Sequence, residues 1–139
     1  MSAGRLVGIG VGPGDPDLLT LKAINALQSI DLLAYLSSVG SESMARAVVG
    51  DHLPAGLAEL GLEAPMREGT EARASFYEDF AARLRPELDQ GKTVGVLCLG
   101  DPMFYGSFIY LLDRLRHAYS FDIIPGITSV SAAAARTGR

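Results

Sequence analysis

Gly100-Asp101-Pro102, continuing into Met103-Phe104-Tyr105-Gly106-Ser107, is the segment of this chain best equipped for chemistry. Gly100 lets a ligand approach the backbone, Asp101 offers a carboxylate and Pro102 fixes the turn. The apolar run Thr93 to Leu99 (TVGVLCL) precedes it and reads as a fully buried parallel strand. Phe104, Phe108, Leu111, Leu112 and Leu115 follow at three- and four-residue steps, which predicts a helix. A glycine, an acid and a proline thus fall where a strand ends and a helix begins. Open α/β sheets bind their ligands at that carboxyl edge.

Two further loops have the same character. Leu6 to Val11 leads into Gly12-Pro13-Gly14-Asp15-Pro16-Asp17 and then a helical run from Leu18 to Ile30. Phe121 to Ile124 leads into Pro125-Gly126-Ile127-Thr128-Ser129 and a small-residue helix from Val130 through Ala135. Any one of these loops is ordinary turn chemistry. Three of them, each after an apolar strand, imply one shared cleft.

A dinucleotide fold fails on spacing, because its G-x-G-x-x-G fingerprint aims a helix N-terminus at a pyrophosphate. Here Gly8, Gly10, Gly12 and Gly14 alternate, and Pro13 and Asp15 occupy the positions of closest approach. An aspartate there repels phosphate. No complete Walker pattern occurs either. A ligand met by Asp15 and Asp101 is expected to be neutral or cationic at its reactive end.

The rest of the chain must position these loops. Its 139 residues suit one domain, and 48% hydrophobic with 20% charged residues suits an α/β protein. A formal charge of −4 argues against nucleic-acid binding, which needs a basic face. Cys98 is the single cysteine and has no internal partner, so a reducing cytoplasm is the expected setting. No signal peptide is read ahead of Gly4, and no apolar run is long enough to span a membrane.

The rhythm is β-α-β-α, which predicts a mostly parallel sheet of about five strands flanked by helices. Strands are expected at Arg5 to Val11, Asp31 to Leu36, near Leu62 to Met66, Thr93 to Leu99 and Phe121 to Ile124. Helices are expected at Asp17 to Ser29 with Asp17 as N-cap, Ser41 to Val49, and Thr70 to Gln90. In the last of these, Phe76, Phe80 and Leu84 form one stripe, Pro86 kinks the helix or starts a separate turn, and Gly91 stops it. The stretch Asp51 to Glu68 shows no clear periodicity. The chain stops at Arg139 just past a short Ala-rich helix, and a parallel sheet ending there reads as unfinished.

Asp101 has two readings, a turn-stabilising aspartate and a ligand-facing one. Asp15 reads as helix-entry chemistry. Cys98 reads as a small buried hydrophobe, and His52 and His117 are isolated, so no metal site is expected. Tyr105 and Tyr110 read as core aromatics with hydroxyls at the cleft edge. Ser107 and Ser129 lack a Ser-His-Asp arrangement, which disfavours covalent catalysis. The sequence offers a binding cleft without an assignable catalytic nucleophile, metal or acid-base pair. That suits a reaction governed by positioning and water exclusion, such as methyl transfer from S-adenosylmethionine.

Gly10-Val11-Gly12-Pro13-Gly14-Asp15-Pro16-Asp17-Leu18-Leu19-Thr20-Leu21-Lys22-Ala23 resembles the opening motif of the tetrapyrrole methylases. Gly100-Asp101-Pro102 and Pro125-Gly126-Ile127-Thr128-Ser129 resemble their second and third motifs, in the right order and across the whole chain. Within that superfamily, GDPMFYGSFIYLLDRL and the ending VSAAAA are similar to the precorrin-2 carbon-20 methyltransferases of cobalamin synthesis. The uroporphyrinogen branch fits less well: its aspartate ending the second strand and its Arg-Gly-Gly-rich continuation are replaced here by Leu36 and Ser107-Phe108.

The resemblance implies C-methylation of precorrin-2 or its cobalt form, with S-adenosyl-L-methionine bound between two α/β domains. Residues 1–139 would be the N-terminal domain, with the C-terminal domain absent. By motif, Pro13 lines the cleft floor, Leu99, Gly100 and Asp101 meet the methionine end, Phe104 packs by the cofactor, and Thr128 and Ser129 offer backbone and hydroxyl bonds. The resemblance also implies a homodimer with a small-molecule tetrapyrrole substrate. Two rival readings remain open, another corrin-ring methylase and an inactive binding or dimerisation module.

Overall fold

The computed structural model describes residues 4–65 and 69–139. Five strands form one sheet: β1 (Arg5–Gly10), β2 (Leu32–Ser38), β3 (Ala58–Ala64), β4 (Thr93–Cys98) and β5 (Ser120–Ile124). They are parallel throughout, in the order β3-β2-β4-β1-β5. Between and after them run α1 (Leu21–Leu27), α2 (Met44–Val49), α3 (Thr70–Asp89), α4 (Phe108–Leu115) and α5 (Ser129–Thr137).

Strand order dictates which helix covers which face. From β1 the chain crosses to β2, and from β2 to β3, moving one way along the sheet. From β3 to β4 and from β4 to β5 it moves the other way. Right-handed crossovers therefore put α1 and α2 on one face and α3 and α4 on the other. The core divides accordingly. Ala23, Leu27, Ala45, Val48 and Val49 pack with Val7, Ile9 and Leu33. On the opposite face, Phe80, Leu84, Leu88, Leu111, Leu112 and Leu115 pack with Leu6, Val94 and Val96. β1 is buried on both faces from Leu6 on, hence its unbroken apolar sequence. The direction of travel reverses between β1 and β4, and their carboxyl ends form the topological switch point.

Several boundaries differ from expectation, each for a local reason. The first helix is split: Pro16–Leu18 is a 3-10 turn capped by Asp15, whose carboxylate accepts from the Asp17 N–H at 2.9 Å, and α1 starts after Thr20, which caps it. Asp15 rather than Asp17 is therefore the cap. α2 likewise begins after Ser43, whose hydroxyl accepts from the Arg46 N–H. α3 runs unbroken through Pro86, three residues before its end, so the lost bond falls in the last turn. β3 begins at Ala58, earlier than expected; Met66, where that strand was expected to finish, lies outside the described residues.

Phe104 is not helical. Asp101 and Phe104 form a tight bridge, and α4 starts at Phe108. Tyr105 is no core aromatic either, being 96% exposed. Gly91-Lys92-Thr93 has the last three letters of a phosphate-binding loop, but Pro86 stands in place of its first glycine. The triplet also leads into β4 instead of leaving a strand. No described helix is long and apolar enough to cross a membrane.

Candidate functional site

The three Gly/Pro loops leave β1, β4 and β5, which are adjacent strands, and backbone bonds stitch them together. The Val11 N–H donates to the Cys98 carbonyl at 2.9 Å. The Gly12 N–H donates to the Gly100 carbonyl at 3.2 Å, and the Gly100 N–H returns to the Gly12 carbonyl at 2.8 Å. Gly100 holds φ +66, a conformation open to glycine at little cost, and this lets the pair close.

Asp101 ties the third loop to the second. Its Oδ1 accepts from the Gly126 N–H at 2.9 Å, and its Oδ2 accepts from the Met103 N–H at 2.9 Å. A Cβ on Gly126 would collide with the Gly100 carbonyl oxygen, and one on Gly10 would come within 2.7 Å of the Gly126 nitrogen. Three motifs far apart in sequence thus pack backbone against backbone with no room for side chains.

Two hollows open beside this knot. One of about 390 Å³ lies at the ends of β2 and β4, with Phe80 and Leu111 among its apolar walls and Leu36, Ser38, Leu99 and Ser107 around it. The other, about 880 Å³, lies between the first and third loops and is lined by Pro13, Asp15, Leu18, Ile127, Thr128 and Ala132 among others. Sequence reasoning placed all three loops at one edge, and they are there. Their side chains are shared between two hollows, however. Pro13 and Thr128 line the larger and Leu99 the smaller, while Gly100 and Asp101 sit in the knot and line neither.

Thr128 turns its hydroxyl to α5, accepting from the Ser131 N–H at 3.2 Å and bonding Ser131 Oγ at 3.2 Å, so its backbone is the part best placed for a ligand. Ser129 is exposed at the start of α5 and lines neither hollow. Phe104 is half exposed, edge-on to Tyr105 with ring centroids 4.7 Å apart. Tyr110 accepts from Arg73 Nη1 at 3.2 Å through its hydroxyl, under the same guanidinium.

Residues of the smaller hollow escaped sequence reasoning. Ser37, Ser38 and Glu42 follow the apolar part of β2, and strand-end position is the signal that could have found them. Tyr77, on α3, donates its hydroxyl to Ser107 Oγ at 2.5 Å across 30 residues, a contact no local pattern announces. Burial raises the Tyr77 pKa above the ordinary tyrosine range, so the hydroxyl stays protonated. Burial, with the Asp101 carboxylate adding to it, pushes the Cys98 thiol up to about 12. Cys98 is a wall rather than a nucleophile. Chemically, the edge can hold, orient and desolvate a ligand.

Residues 5–139 match the family model for Tetrapyrrole (Corrin/Porphyrin) Methylases. A precorrin-2 C(20)-methyltransferase of Sinorhizobium sp is 41% identical over 139 aligned residues, covering 94% of this chain and 57% of that protein. A cobalt-precorrin-2 C(20)-methyltransferase of Salmonella typhimurium is 36% identical, covering 96% of this chain and 56% of that protein. Among solved structures, a cobalt precorrin-4 methyltransferase superposes with a TM-score of 0.74 at 32% identity, covering 96% of this chain and 50% of that one. The chain spans little more than half the length of these two relatives.

Proposed function

The chain belongs to the tetrapyrrole (corrin/porphyrin) methylase family, and we propose that it is the N-terminal domain of an S-adenosylmethionine-dependent methyltransferase. Its substrate is precorrin-2, or the cobalt form, methylated at the carbon-20 meso position in cobalamin biosynthesis. One observation carries the proposal: the Gly12–Gly100 and Asp101–Gly126 bonds build a single rigid edge at the switch point from the three loops that carry the family resemblance.

The residues present fit the cofactor. Gly100 shows a bare backbone face, where an added Cβ would meet no foreign atom closer than 3.8 Å. Pro13, Leu18 and Ile127 offer apolar surface, and the Thr128 backbone offers polar groups beside them. When bound, S-adenosylmethionine supplies a methyl group carried on a cationic sulfur. Pro13, Leu99, Gly100, Asp101, Phe104, Thr128 and Ser129 are the residues proposed to hold it. Asp15 and Asp101 favour a cationic ligand over a phosphate by charge. Leu99 and Phe104, about half exposed, are placed to be covered by the ligand and to exclude water from it. The work of this domain is thus positioning.

The reading includes a second domain completing the cleft, a homodimeric assembly and a cytoplasmic setting. The formal charge of −4 supports a small-molecule substrate over nucleic acid. Another corrin-ring methylase is the second reading, favoured by the superposition on the cobalt precorrin-4 enzyme.

Calorimetric titration of the full-length protein with S-adenosylhomocysteine, followed by methylation of precorrin-2 and location of the new methyl group by NMR, tests the proposal. Binding with methylation at carbon-20 is the expected result. Methylation at another carbon supports the second reading. No binding and no turnover would leave a binding or dimerisation module.

A further inference from the structure

Ser107 breaks a local rule. It stands at the N-cap of α4, where serine ordinarily accepts a hydrogen bond from a backbone N–H of the first turn. Here it makes no capping bond. Its Oγ is taken by the Tyr77 hydroxyl at 2.5 Å. Tyr77 is only 6% exposed and is held from three sides by rings, with centroids 5.1 Å away at Phe76, 6.4 Å at Phe80 and 5.6 Å at Tyr110. A buried aromatic clamp therefore draws a serine hydroxyl away from its helix and fixes it on the wall of the smaller hollow. A hydroxyl has one proton and two lone pairs, so the single contact with Tyr77 leaves Ser107 Oγ capacity for a second partner.

We propose that Ser107, positioned by Tyr77, is a substrate-binding hydroxyl of the smaller hollow, donating to a carboxylate or carbonyl oxygen on the edge of the methyl-accepting macrocycle. The methylase reading supplies the identity of that ligand. The hollow itself supplies the rest: Phe80 and Leu111 give it an apolar floor, and Ser37, Ser38 and Ser107 give it hydroxyls. Among the described residues, Glu42 is the one carboxylate that lines it, and no lysine or arginine does. The side-chain donors that line it, among the described residues, are neutral hydroxyls. Forfeiting a helix cap for a hydroxyl aimed at a ligand is the kind of local sacrifice found at binding sites.

The test uses the full-length protein and the variants Ser107→Ala, Ser107→Thr and Tyr77→Phe. Uroporphyrin, a stable carboxylated porphyrin, serves as probe because its visible absorbance reports binding without methyl transfer. Ser107→Ala should weaken porphyrin binding roughly tenfold, about what one hydrogen bond to a charged group supplies. Its affinity for S-adenosylhomocysteine should not change. Ser107→Thr, which keeps the hydroxyl, should restore porphyrin affinity. Tyr77→Phe should fall between Ser107→Ala and the unaltered protein. If Ser107→Ala shifts only the thermal midpoint and leaves porphyrin affinity intact, the serine is structural and the proposal is overturned. An unaltered protein that fails to bind the porphyrin overturns it too. Failure of the methylase reading shows separately, as a protein that binds no S-adenosylhomocysteine and methylates no precorrin-2.

Discussion

Asp101 Oδ1 lies 2.9 Å from the Gly126 backbone nitrogen, and through that bond the loop after β4 holds the loop after β5. The second carboxylate oxygen closes its own turn onto Met103. Asp101 is therefore a clamp between two motifs. The turn-stabilising reading of this residue is met by these bonds, and the ligand-facing role proposed for it would use the remaining lone pairs, since each oxygen can accept more than one bond.

Removing the clamp should be felt in both stability and binding. Asp101→Ala deletes two hydrogen bonds to a charged acceptor, each worth roughly 1.5–3 kcal/mol. Partial exposure should reduce the total to about 2–3 kcal/mol of unfolding free energy, together with weaker S-adenosylhomocysteine binding. Asp101→Asn keeps one acceptor oxygen for Gly126 and should lose less of each. Urea denaturation and calorimetry on the same samples check this. Unchanged stability with lost binding would make the carboxylate a ligand group alone.

That linkage marks where the sequence stops being legible. The strands, their parallel arrangement and the three loops were readable because buried parallel strands are continuous apolar runs and Gly/Pro clusters end them. The bond from Asp101 to Gly126 spans 25 residues and follows from strand order, which one sequence does not display. Phe104 misled for a physical reason. It stands four residues before Phe108, in helical register, yet Asp101–Phe104 pairing turns the chain first and leaves the ring against Tyr105. Sequence reasoning places the start of β3 too late, in a segment interrupted by Gly61, because an edge strand buries too little to show a continuous apolar run. The hydroxyl lining of the smaller hollow hid for a third reason: Tyr77 and Ser107 meet only when α3 and α4 pack on the same face.

Gly126→Ala should be among the most damaging single substitutions in the chain. Its Cβ would press on the Gly100 carbonyl and come within 3.0 Å of Gly10, all of it backbone that no rotamer change can move. Overpacking of this kind costs typically about 1–3 kcal/mol and more where backbone must shift. Gly14→Ala meets nothing within 4 Å, and its cost comes only from φ +133. Chemical denaturation should rank Gly126→Ala well below Gly14→Ala, and equal midpoints would contradict the close-packed knot.

Cys98 gives a prediction about pH. Its thiol has the ordinary value of 9.0 when unfolded and about 12 when folded. Well below pH 9 both states are protonated and nothing is lost. Between those two values the unfolded chain gives up a proton that the folded one keeps, so stability falls as pH rises. Cys98→Ala should remove that component, visible as a shallower decline in the denaturation midpoint across this window. In the native protein at pH 8, thiol labelling should be slower than in urea by about a thousandfold, following the thiolate fraction. Rapid labelling of the native protein would show that the thiol is open to solvent.

Tyr105 is the only non-glycine residue with positive φ among the described residues, at 52°, and it is also 96% exposed. The left-handed conformation costs a side-chain-bearing residue roughly 1–2 kcal/mol, and nothing buried repays it here. Glycine would relieve that strain but would give back about 0.5–1 kcal/mol through the greater freedom of the unfolded chain. Tyr105→Gly should therefore leave stability unchanged or raise it by up to about 1 kcal/mol. A strained, exposed aromatic that contributes no stability points to use in binding. It also lines the smaller hollow. The same variant of the full-length protein should thus bind precorrin-2 more weakly, seen as a raised KM with S-adenosylhomocysteine affinity intact. A variant that loses stability while keeping its KM would show instead that the ring packs where the fold needs it, and Tyr105 would then be a structural residue of the loop.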